Sequence, residues 1–376
     1  MRVVMLLGRS TGGIGTHVAD LTADLRSLGD DVTVVTDRST AERFDLPGAR
    51  LWWPGRSAGL AGSLRALWRL RGLVRRADVL HAHGHQAGLV AVLASAGTGT
   101  PVVVSQHNAV LVGGPRRRLL DLVQRLVARR ADLVTGASSD LVAESARLGA
   151  RGARLAAVPS PRVPGLLAQE VLSTEARRAL AAELLWDNGI DAEPGAPLVV
   201  TIARIAPQKD LDTLIQAAAP GSGLAGETPP PVWVVVGGGD ESLRTFLVGR
   251  AAALGATIHF VGPQDDPDCW LRAAEVFVLP SLWEARALVV QEAMAAGVPV
   301  VATDTGGLRD LVAGVGTLVP VGDPAAVAAA VGRYLADPAA RHTASVAGRE
   351  RATSWDDGKA TASRWHEWYS ALLGMT

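Results

Sequence analysis

Two cations stand close together in the stretch TIARIAPQKD, residues 201–210. The chain has 37 Lys and Arg residues but only two lysines, Lys209 and Lys359, so a lysine five residues after Arg204 is unusual here. An arginine offers a planar fork for bidentate contacts, whereas a lysine offers a compact, mobile ammonium. A diphosphate can use both kinds of contact, a bidentate one from Arg204 and a point charge from Lys209. The apolar run before Arg204 and the helix pattern from Leu211 put both cations at the carboxyl end of a strand, where α/β sheets bind ligands.

Two carboxylates follow in LPSLWEARALVVQEAMAAGVPVVATDTGG, residues 279–307. Eight steps along an ideal helix turn about 80° beyond two full turns, so Glu284 and Glu292 would not share one face of a single helix. We therefore expect Glu284 in a loop and Glu292 inside a helix that Gly297 ends, with both bordering one cleft. A carboxylate there can accept two hydroxyl hydrogen bonds from a ribose or another sugar.

A glycine-rich turn follows the first strand pattern in LLGRSTGGIGTHVADL, residues 6–21. Free backbone N–H groups at the start of the next helix suit a phosphate, although this signal is weak by itself. The glycines fall at positions 8, 12, 13 and 15, which fits neither G-x-G-x-x-G nor G-x-x-x-G-x-G, and the Tyr-x-x-x-Lys pair of one reductase class is absent. The sequence therefore argues against a nicotinamide dehydrogenase.

The elements that must position these residues alternate regularly along the chain. Short β-branched runs separated by amphipathic helices predict parallel strands covered on both faces, which is a doubly wound α/β arrangement. The predicted strands are 3–7, 31–36, 78–83, 101–107, 132–138, 154–160, 198–204, 232–238, 257–262, 275–281, 299–303 and 317–321. They form two series, each with its own glycine-rich loops, so we expect two Rossmann-like domains.

The predicted organisation has four parts, divided where Pro and Gly accumulate. They are an N-terminal Rossmann-like domain at 1–165, a linker with a short helix at 166–196, a C-terminal Rossmann-like domain at 197–353 and a C-terminal helix at 354–376 that packs back towards the first domain. Ser354 and Asp357 have capping-box spacing for that helix. The run APGSGLAGETPPP at 219–231 predicts a surface loop.

The C-terminal half resembles the retaining glycosyltransferases of family 4, which have the GT-B fold of two facing Rossmann-like domains with a cleft between them. The matching segments are ARIAPQKD, VVGGGDESL, HFVGP and EAMAAGVPVVATDTGG, with looser matches in GGIGTHV, HAHGH and SQHN. The resemblance covers nearly the full length. It implies transfer of a sugar from a nucleotide-diphosphate donor to an unidentified acceptor, with retention of anomeric configuration and without a metal or other cofactor.

The resemblance also implies roles for individual residues. Arg204 and Lys209 would hold the donor diphosphate and stabilise the negative charge that develops as it leaves. Glu292 would bind the nucleotide ribose. The other implied site residues are His107 and Glu284 at the reacting centre, Gly13 facing the phosphates, Ala285, Arg286, Ala287 and Leu288 as the donor-loop backbone, and Gly12, His17 and His83 lining the acceptor cleft.

The chain departs from the family pattern in two places. Where relatives carry Glu-Gly-Phe-Gly, residues 284–287 read EARA, which puts methyl groups where backbone amides meet the phosphates and adds the cation of Arg286. The linker reads VPSP at 158–161 in place of the usual Pro-Asn-Gly turn. Both departures concern donor geometry rather than the fold.

Two patterns superficially suggest a metal site. His81, His83 and His85 alternate at a strand end, but we expect Gly84 to end the strand, so the three would not share one face, and we interpret them as lining the cleft. The segment Asp-Pro-Asp at 266–268 lies between a strand and a helix, where helix capping explains it. We therefore expect no metal ligands.

Charge is divided unevenly along a chain that is neutral overall. Residues 1–165 hold 22 Arg/Lys against 12 Asp/Glu, and residues 166–376 hold 15 against 25. The Arg-rich segments 63–76 and 115–130 predict amphipathic helices with basic faces, which are either ordinary solvated helices or contacts to an anionic membrane surface. The chain has one cysteine, and it starts with a pattern typical of a strand rather than of a signal peptide, so we expect a cytoplasmic protein. We expect no nucleic-acid partner.

Two other functions fit the same sequence. A nucleotide-sugar 2-epimerase of the same fold would act on the donor alone and need no acceptor. A degenerate, non-catalytic subunit would only bind a nucleotide sugar or a membrane. The EARA segment at 284–287 keeps the second alternative open, whereas Arg204, Lys209 and Glu292 argue against it.

Overall fold

The protein consists of two compact units, each with its own parallel sheet. The computed structural model describes residues 1–10, 12–54, 59–109, 115–222 and 229–375, so the predicted loop at 219–231 lies partly outside the described residues. Unit 1 comprises Met1–Pro159 and Asp356–Thr376, and unit 2 comprises Ser160–Trp355.

Unit 1 is built on six parallel strands in the order β2-β1-β3-β4-β5-β6. The strands are β1 Arg2–Leu7, β2 Asp31–Val35, β3 Val79–His83, β4 Val102–Gln106, β5 Leu133–Gly136 and β6 Ala153–Leu155. The helices before the chain leaves this unit are α1 Gly13–Ser27, α2 Arg38–Arg43, α3 Gly59–Val74, α4 His85–Ser95, α5 Pro115–Arg130 and α6 Ser139–Arg147. Alternate residues of β1 enter different cores, Val4 and Leu6 on one face of the sheet and Val3 and Met5 on the other, as the two-residue period of a strand requires.

Unit 2 has a second six-stranded parallel sheet, in the order β12-β11-β10-β7-β8-β9. Its strands are β7 Leu198–Ile202, β8 Val232–Val236, β9 Ile258–Gly262, β10 Val276–Leu279, β11 Val300–Thr303 and β12 Thr317–Val319. Its helices are α7 Val163–Leu167, α8 Thr174–Asp187, α9 Leu211–Ala217, α10 Glu241–Leu254, α11 Pro267–Ala273, α12 Leu288–Ala295, α13 Gly306–Val312, α14 Pro324–Ala336 and α15 Pro338–Thr353. Eleven of the predicted strands lie where the sequence pattern places them, whereas β6 shares only residues 154 and 155 with the predicted strand at 154–160.

The unit boundaries differ from the predicted domain boundaries. Residues 160–165, predicted to be N-terminal, belong to unit 2, and so does the predicted linker at 166–196. The physical reason is packing, because α8 lies against α11 and its buried Leu185 joins the core of unit 2. The segment is thus part of a domain and not a spacer between two domains.

The final helix, α16 at Gly358–Leu372, packs on α1 and belongs to unit 1. Its Trp365 and Tyr369 are 2% and 0% exposed and share a core with Leu21 and Leu25 of α1. The predicted capping box is wrong. Ser354 is the C-cap of α15, and Asp357 alone caps α16 by accepting a hydrogen bond from the Ala360 N–H at 2.8 Å.

The strand order of each sheet reverses at one place. In unit 1 the chain passes from β1 to β2 on one side and then continues with β3 on the other, and in unit 2 β7 and β10 have the same relation. Ligands of open α/β sheets bind at the carboxyl ends of strands beside such a switch point. The loops after β1, β3, β7 and β10 are therefore where a site is expected.

Candidate functional site

Lys209 and Glu284 form an ion pair at the switch point of unit 2. Lys209 ends a short 3₁₀ turn after β7, and Glu284 lies in the loop between β10 and α12. The Lys209 Nζ lies 2.5 Å from Glu284 Oε1, and the two side chains are only 17% and 12% exposed. The structure thus brings together two residues that the sequence places 75 positions apart.

The two loops that carry this ion pair are joined by hydrogen bonds of Gln208, a residue that no sequence pattern singles out. Its backbone carbonyl accepts from the Leu282 N–H at 2.9 Å, and its side-chain amide donates to the Trp283 carbonyl at 2.6 Å. Asp210 follows with φ of 46°, a left-handed conformation that costs a non-glycine residue about 1–2 kcal/mol. Strain of this kind is found where a loop must hold a functional side chain in place.

The glycine loop after β8 packs closely on the segment after β7, and its nearest neighbours there are backbone atoms. A Cβ on Gly237 would lie 2.2 Å from the Ala203 carbonyl oxygen, and one on Gly239 would lie 2.3 Å from that of Ile205. These two glycines therefore allow the loop to pack beneath the cation-bearing segment.

Arg204 lies two residues beyond β7 and is exposed. Within the described ranges its guanidinium takes part in no ion pair or side-chain hydrogen bond, in contrast to Lys209. Its charge is therefore uncompensated by the protein and available to an anionic ligand.

The donor-loop residues at 285–288 lead into α12. Ala287 precedes the helix without a side-chain cap, so the first N–H groups of α12, including that of Leu288, depend on other partners. The Arg286 guanidinium lies over the Trp355 ring, 5.5 Å from the centroid, and burial lowers its pKa to about 10. Ala285 is partly exposed in the same loop.

Glu292 lies in α12, as predicted, but it has partners that the sequence did not reveal. Ser160 Oγ donates to Glu292 Oε1 at 2.6 Å, and the Arg162 guanidinium donates to Oε2 at 3.1 Å and also contacts Asp268. Each carboxylate oxygen keeps a second lone pair that can accept another hydrogen bond. Asp266 caps α11 by accepting from the Asp268 N–H at 3.0 Å, so the predicted capping role of 266–268 is confirmed.

In unit 1, the glycines at the start of α1 are of two kinds. A Cβ on Gly12 or Gly13 would meet no atom within 4 Å, whereas one on Gly15 would lie 2.1 Å from the Phe44 ring. Packing therefore requires glycine at Gly15 only. At Gly12 and Gly13 the missing side chain leaves room beside the N-terminus of α1.

Three of the predicted site residues meet at the switch point of unit 1. His17 comes from α1, His83 ends β3 and His107 follows β4, and all three side chains are buried. His83 Nδ1 lies 3.1 Å from His107 Nε2, and the His17 ring stands edge-on to both other rings. Burial lowers the pKa of His17 to about 4 and that of His107 to about 3, and lowers the pKa of His83 well below its usual value, so all three imidazoles are neutral near pH 7.

The neighbouring histidines take no part in that group. His81 lies on β3 and has hydrogen-bond partners for both ring nitrogens, Tyr369 Oη at 2.6 Å and Ser105 Oγ at 2.7 Å. His85 begins α4, after Gly84, and its Nε2 donates to the Asn108 carbonyl at 2.7 Å. The strand does end before Gly84, and the alternating histidines have three different surroundings.

The two Arg-rich segments fall on α3 and α5. Large apolar side chains follow one face of α3, where Leu60, Leu64 and Trp68 are 80%, 58% and 76% exposed, with Arg65 and Arg69 beside them. Among the described residues no helix combines the length and apolar character that crossing a membrane requires.

The chain is similar to known proteins over both units. Residues 12–161 match the family described as "Glycosyl transferase 4-like domain", and residues 185–351 match "Glycosyl transferases group 1". A D-inositol 3-phosphate glycosyltransferase of Salinispora tropica is 34% identical over 74% of this chain, which spans 61% of that protein's length. D-inositol 3-phosphate glycosyltransferase 2 of Catenulispora acidiphila is 30% identical over 87% of this chain and 82% of its own length.

Solved structures share the fold at low identity. Alr3699/HepE of Anabaena in complex with UDP has a TM-score of 0.81 at 19% identity, covering 99% of this chain and 100% of that one. Sucrose-phosphate synthase of Thermosynechococcus elongatus has a TM-score of 0.76 at 23% identity, covering all of both chains.

Proposed function

Because the chain belongs to the family-4 glycosyltransferases and has their GT-B fold, we propose that it transfers a sugar from a nucleotide-diphosphate donor to an acceptor, with retention and without a metal. The observation that carries this proposal is the ion pair of Lys209 and Glu284 at the switch point of unit 2. A preformed cation there, with the uncompensated Arg204 five residues away, suits a diphosphate better than a neutral ligand.

In the proposed reaction, the bond between the anomeric carbon and the diphosphate oxygen breaks, and negative charge accumulates on the leaving group. Arg204 and Lys209 stabilise that charge without needing to reorganise, which lowers the barrier. The Lys209 ammonium has three N–H donors, so it can bind a phosphate oxygen while it keeps Glu284 as a partner. Glu284 then faces the donor sugar, and Glu292, held by Ser160 and Arg162, accepts the ribose hydroxyls.

The comparisons suggest which donor and acceptor to test first. Alr3699/HepE has been solved with UDP and with UDP-glucose, so uridine donors come first. The relatives are named for D-inositol 3-phosphate, and the excess of Arg over acidic residues in 1–165 suits a phosphorylated acceptor of that class. His107 of unit 1 is proposed to act on the transferred sugar.

The first experiment is a thermal-shift screen of UDP-, GDP- and ADP-sugars in EDTA. One nucleotide should stabilise the protein specifically, by about 2.7 kcal/mol at a hundredfold excess over Kd. With that donor and D-inositol 3-phosphate, transfer should continue in EDTA and NMR should show retained configuration at the anomeric carbon. Donor epimerised without acceptor would favour the epimerase, and binding without turnover would favour the non-catalytic subunit.

A second experiment separates chemistry from binding in one variant. His107→Ala should lower kcat strongly while nucleoside-diphosphate affinity stays near the wild-type value, because the proposed contact is made mainly in the transition state. His342→Ala, which alters an exposed histidine on α15, is the matched control. A folded His107→Ala protein with wild-type turnover would remove this residue from the mechanism.

A further inference from the structure

We propose that His17, His83 and His107 form a binding site for a divalent transition-metal ion of the zinc type. They make up the one group of three or more metal-ligating side chains found in the described part of the chain. This assignment goes beyond the transfer reaction, which is proposed to need no metal. It also revises the expectation drawn from the sequence, which considered His81, His83 and His85 and found that set unsuitable.

The geometry is close to that of a three-histidine zinc site. One nitrogen from each ring lies within 4.8 Å of the nitrogens from the other two. In a tetrahedral site with Zn–N bonds near 2.0–2.1 Å, two ligand nitrogens stand about 3.3 Å apart. His83 Nδ1 and His107 Nε2 are already 3.1 Å apart, so His17 is the ligand that has to move closer.

The chemistry of the group also favours a borderline-soft cation. All three ligands are imidazole side chains, and all three are buried. Imidazole nitrogens suit Zn²⁺, Cu²⁺ and Ni²⁺, whereas Mg²⁺ and Ca²⁺ prefer oxygen ligands.

The surrounding residues hold two of the ligands in place. The His81 ring lies against that of His83, with 4.1 Å between centroids, and its own nitrogens are held by Tyr369 and Ser105. Ser105 Oγ is in turn 2.8 Å from Thr135 Oγ1. His83 and His107 are nearly parallel, with 13° between their planes. Such support lowers the ordering cost of binding an ion.

A bound ion would inhibit transfer. This part of the inference rests on the proposed function, because the ion would occupy the nitrogen that His107 offers to the transferred sugar. The bound ion would keep its two positive charges, since the three ligands are neutral, and would take water or an anion as its fourth ligand. We therefore expect micromolar Zn²⁺ to lower turnover and EDTA to restore it.

The test is direct metal binding by the chelator-treated full chain, measured with Zn²⁺ by calorimetry in a Cys269→Ser background, which removes the single thiol. We expect one Zn²⁺ per chain and no binding of Mg²⁺. His17→Gln and His83→Asn should each weaken Zn²⁺ binding at least tenfold, and His342→Ala should leave it unchanged. Circular dichroism checks that each variant is folded, and Co²⁺ in the wild-type chain should give the absorption bands of a tetrahedral site.

Two results would overturn the site: no stoichiometric Zn²⁺ in the folded wild-type chain, or equal binding in the wild type and both histidine variants. Stoichiometric Zn²⁺ that leaves turnover unchanged would overturn the inhibition alone, and would count against the proposed role of His107. Because binding is measured without substrate, a failure of the metal site and a failure of the transfer reaction give different outcomes.

Discussion

At the scale of the residue, the two cations after β7 have different surroundings, and their loss should have different effects. Arg204→Ala and Lys209→Ala should each weaken nucleoside-diphosphate binding about 10- to 100-fold, because a charged hydrogen bond contributes about 1.5–3 kcal/mol. Only Lys209→Ala should also lower Tm, because it leaves the buried Glu284 without its partner. Calorimetry and thermal melts measure both effects.

Adding Glu284→Gln to Lys209→Ala should recover part of the lost Tm, since the unpaired buried charge is then removed. Unchanged UDP, GDP and ADP affinity in both single variants would contradict the assignment of the diphosphate to this loop.

The glycines of α1 give a second test at the same scale. Gly13→Ala should leave Tm unchanged or raise it slightly, because its Cβ meets no protein atom and alanine is the better helix former. It should nevertheless weaken donor binding, because the methyl group would occupy the space offered to a phosphate. Gly15→Ala is the contrasting variant and should lower Tm through its clash with Phe44. Wild-type donor affinity in Gly13→Ala would show that no ligand approaches there.

At the scale of the element, the sequence predicts strands well because buried parallel strands are continuous apolar runs, which need no tertiary information to find. It failed where a residue's partner is distant. Arg162 and Glu292 are 130 positions apart, and no local pattern links them. It also failed at Ser354, where the capping-box spacing is present but the preceding helix extends far enough to use this serine as its own C-cap.

The exposed apolar face of α3 allows a test of whether this helix binds an anionic membrane surface. The full chain should bind vesicles containing anionic lipid better than neutral vesicles, because Leu64 and Trp68 can enter the interface while Arg65 and Arg69 meet the headgroups. Salt should weaken this binding, since exposed charges are screened over about 8 Å at physiological ionic strength. Trp68→Ala should reduce binding in a sedimentation assay. Trp186→Ala, equally exposed but on α8, is the control.

Equal partitioning into anionic and neutral vesicles, or none into either, would leave α3 as an ordinary solvated helix. A loss of binding in Trp186→Ala equal to that in Trp68→Ala would point to nonspecific adsorption.

At the scale of the whole molecule, the two units have separate cores, so damage to one should spare the binding property of the other. Trp365→Ala removes a side chain that is 2% exposed in unit 1 and should destabilise that unit by about 3–5 kcal/mol. The contacts of unit 2 with the nucleoside diphosphate should persist, so its affinity should fall no further than in Gly13→Ala. Hydrogen exchange should show faster exchange in β1 and α1 but not in β7 and β10. Loss of protection in both units together would contradict independent cores.

The return of α16 to unit 1 has a consequence for biosynthesis. A ribosome delivers all of Ser160–Trp355 before Asp356–Thr376, so unit 2 is complete while the earlier-made unit 1 still lacks a helix. Until then the part of α1 that packs on α16 is uncovered, and Asp30 lacks its partner His366, 336 residues away. Contacts between segments so far apart in the sequence slow folding, and the apolar surface exposed meanwhile makes the nascent chain prone to aggregation. Synthesis of α16, not synthesis of residues 1–159, should therefore be the event that commits the N-terminal sheet to its native state.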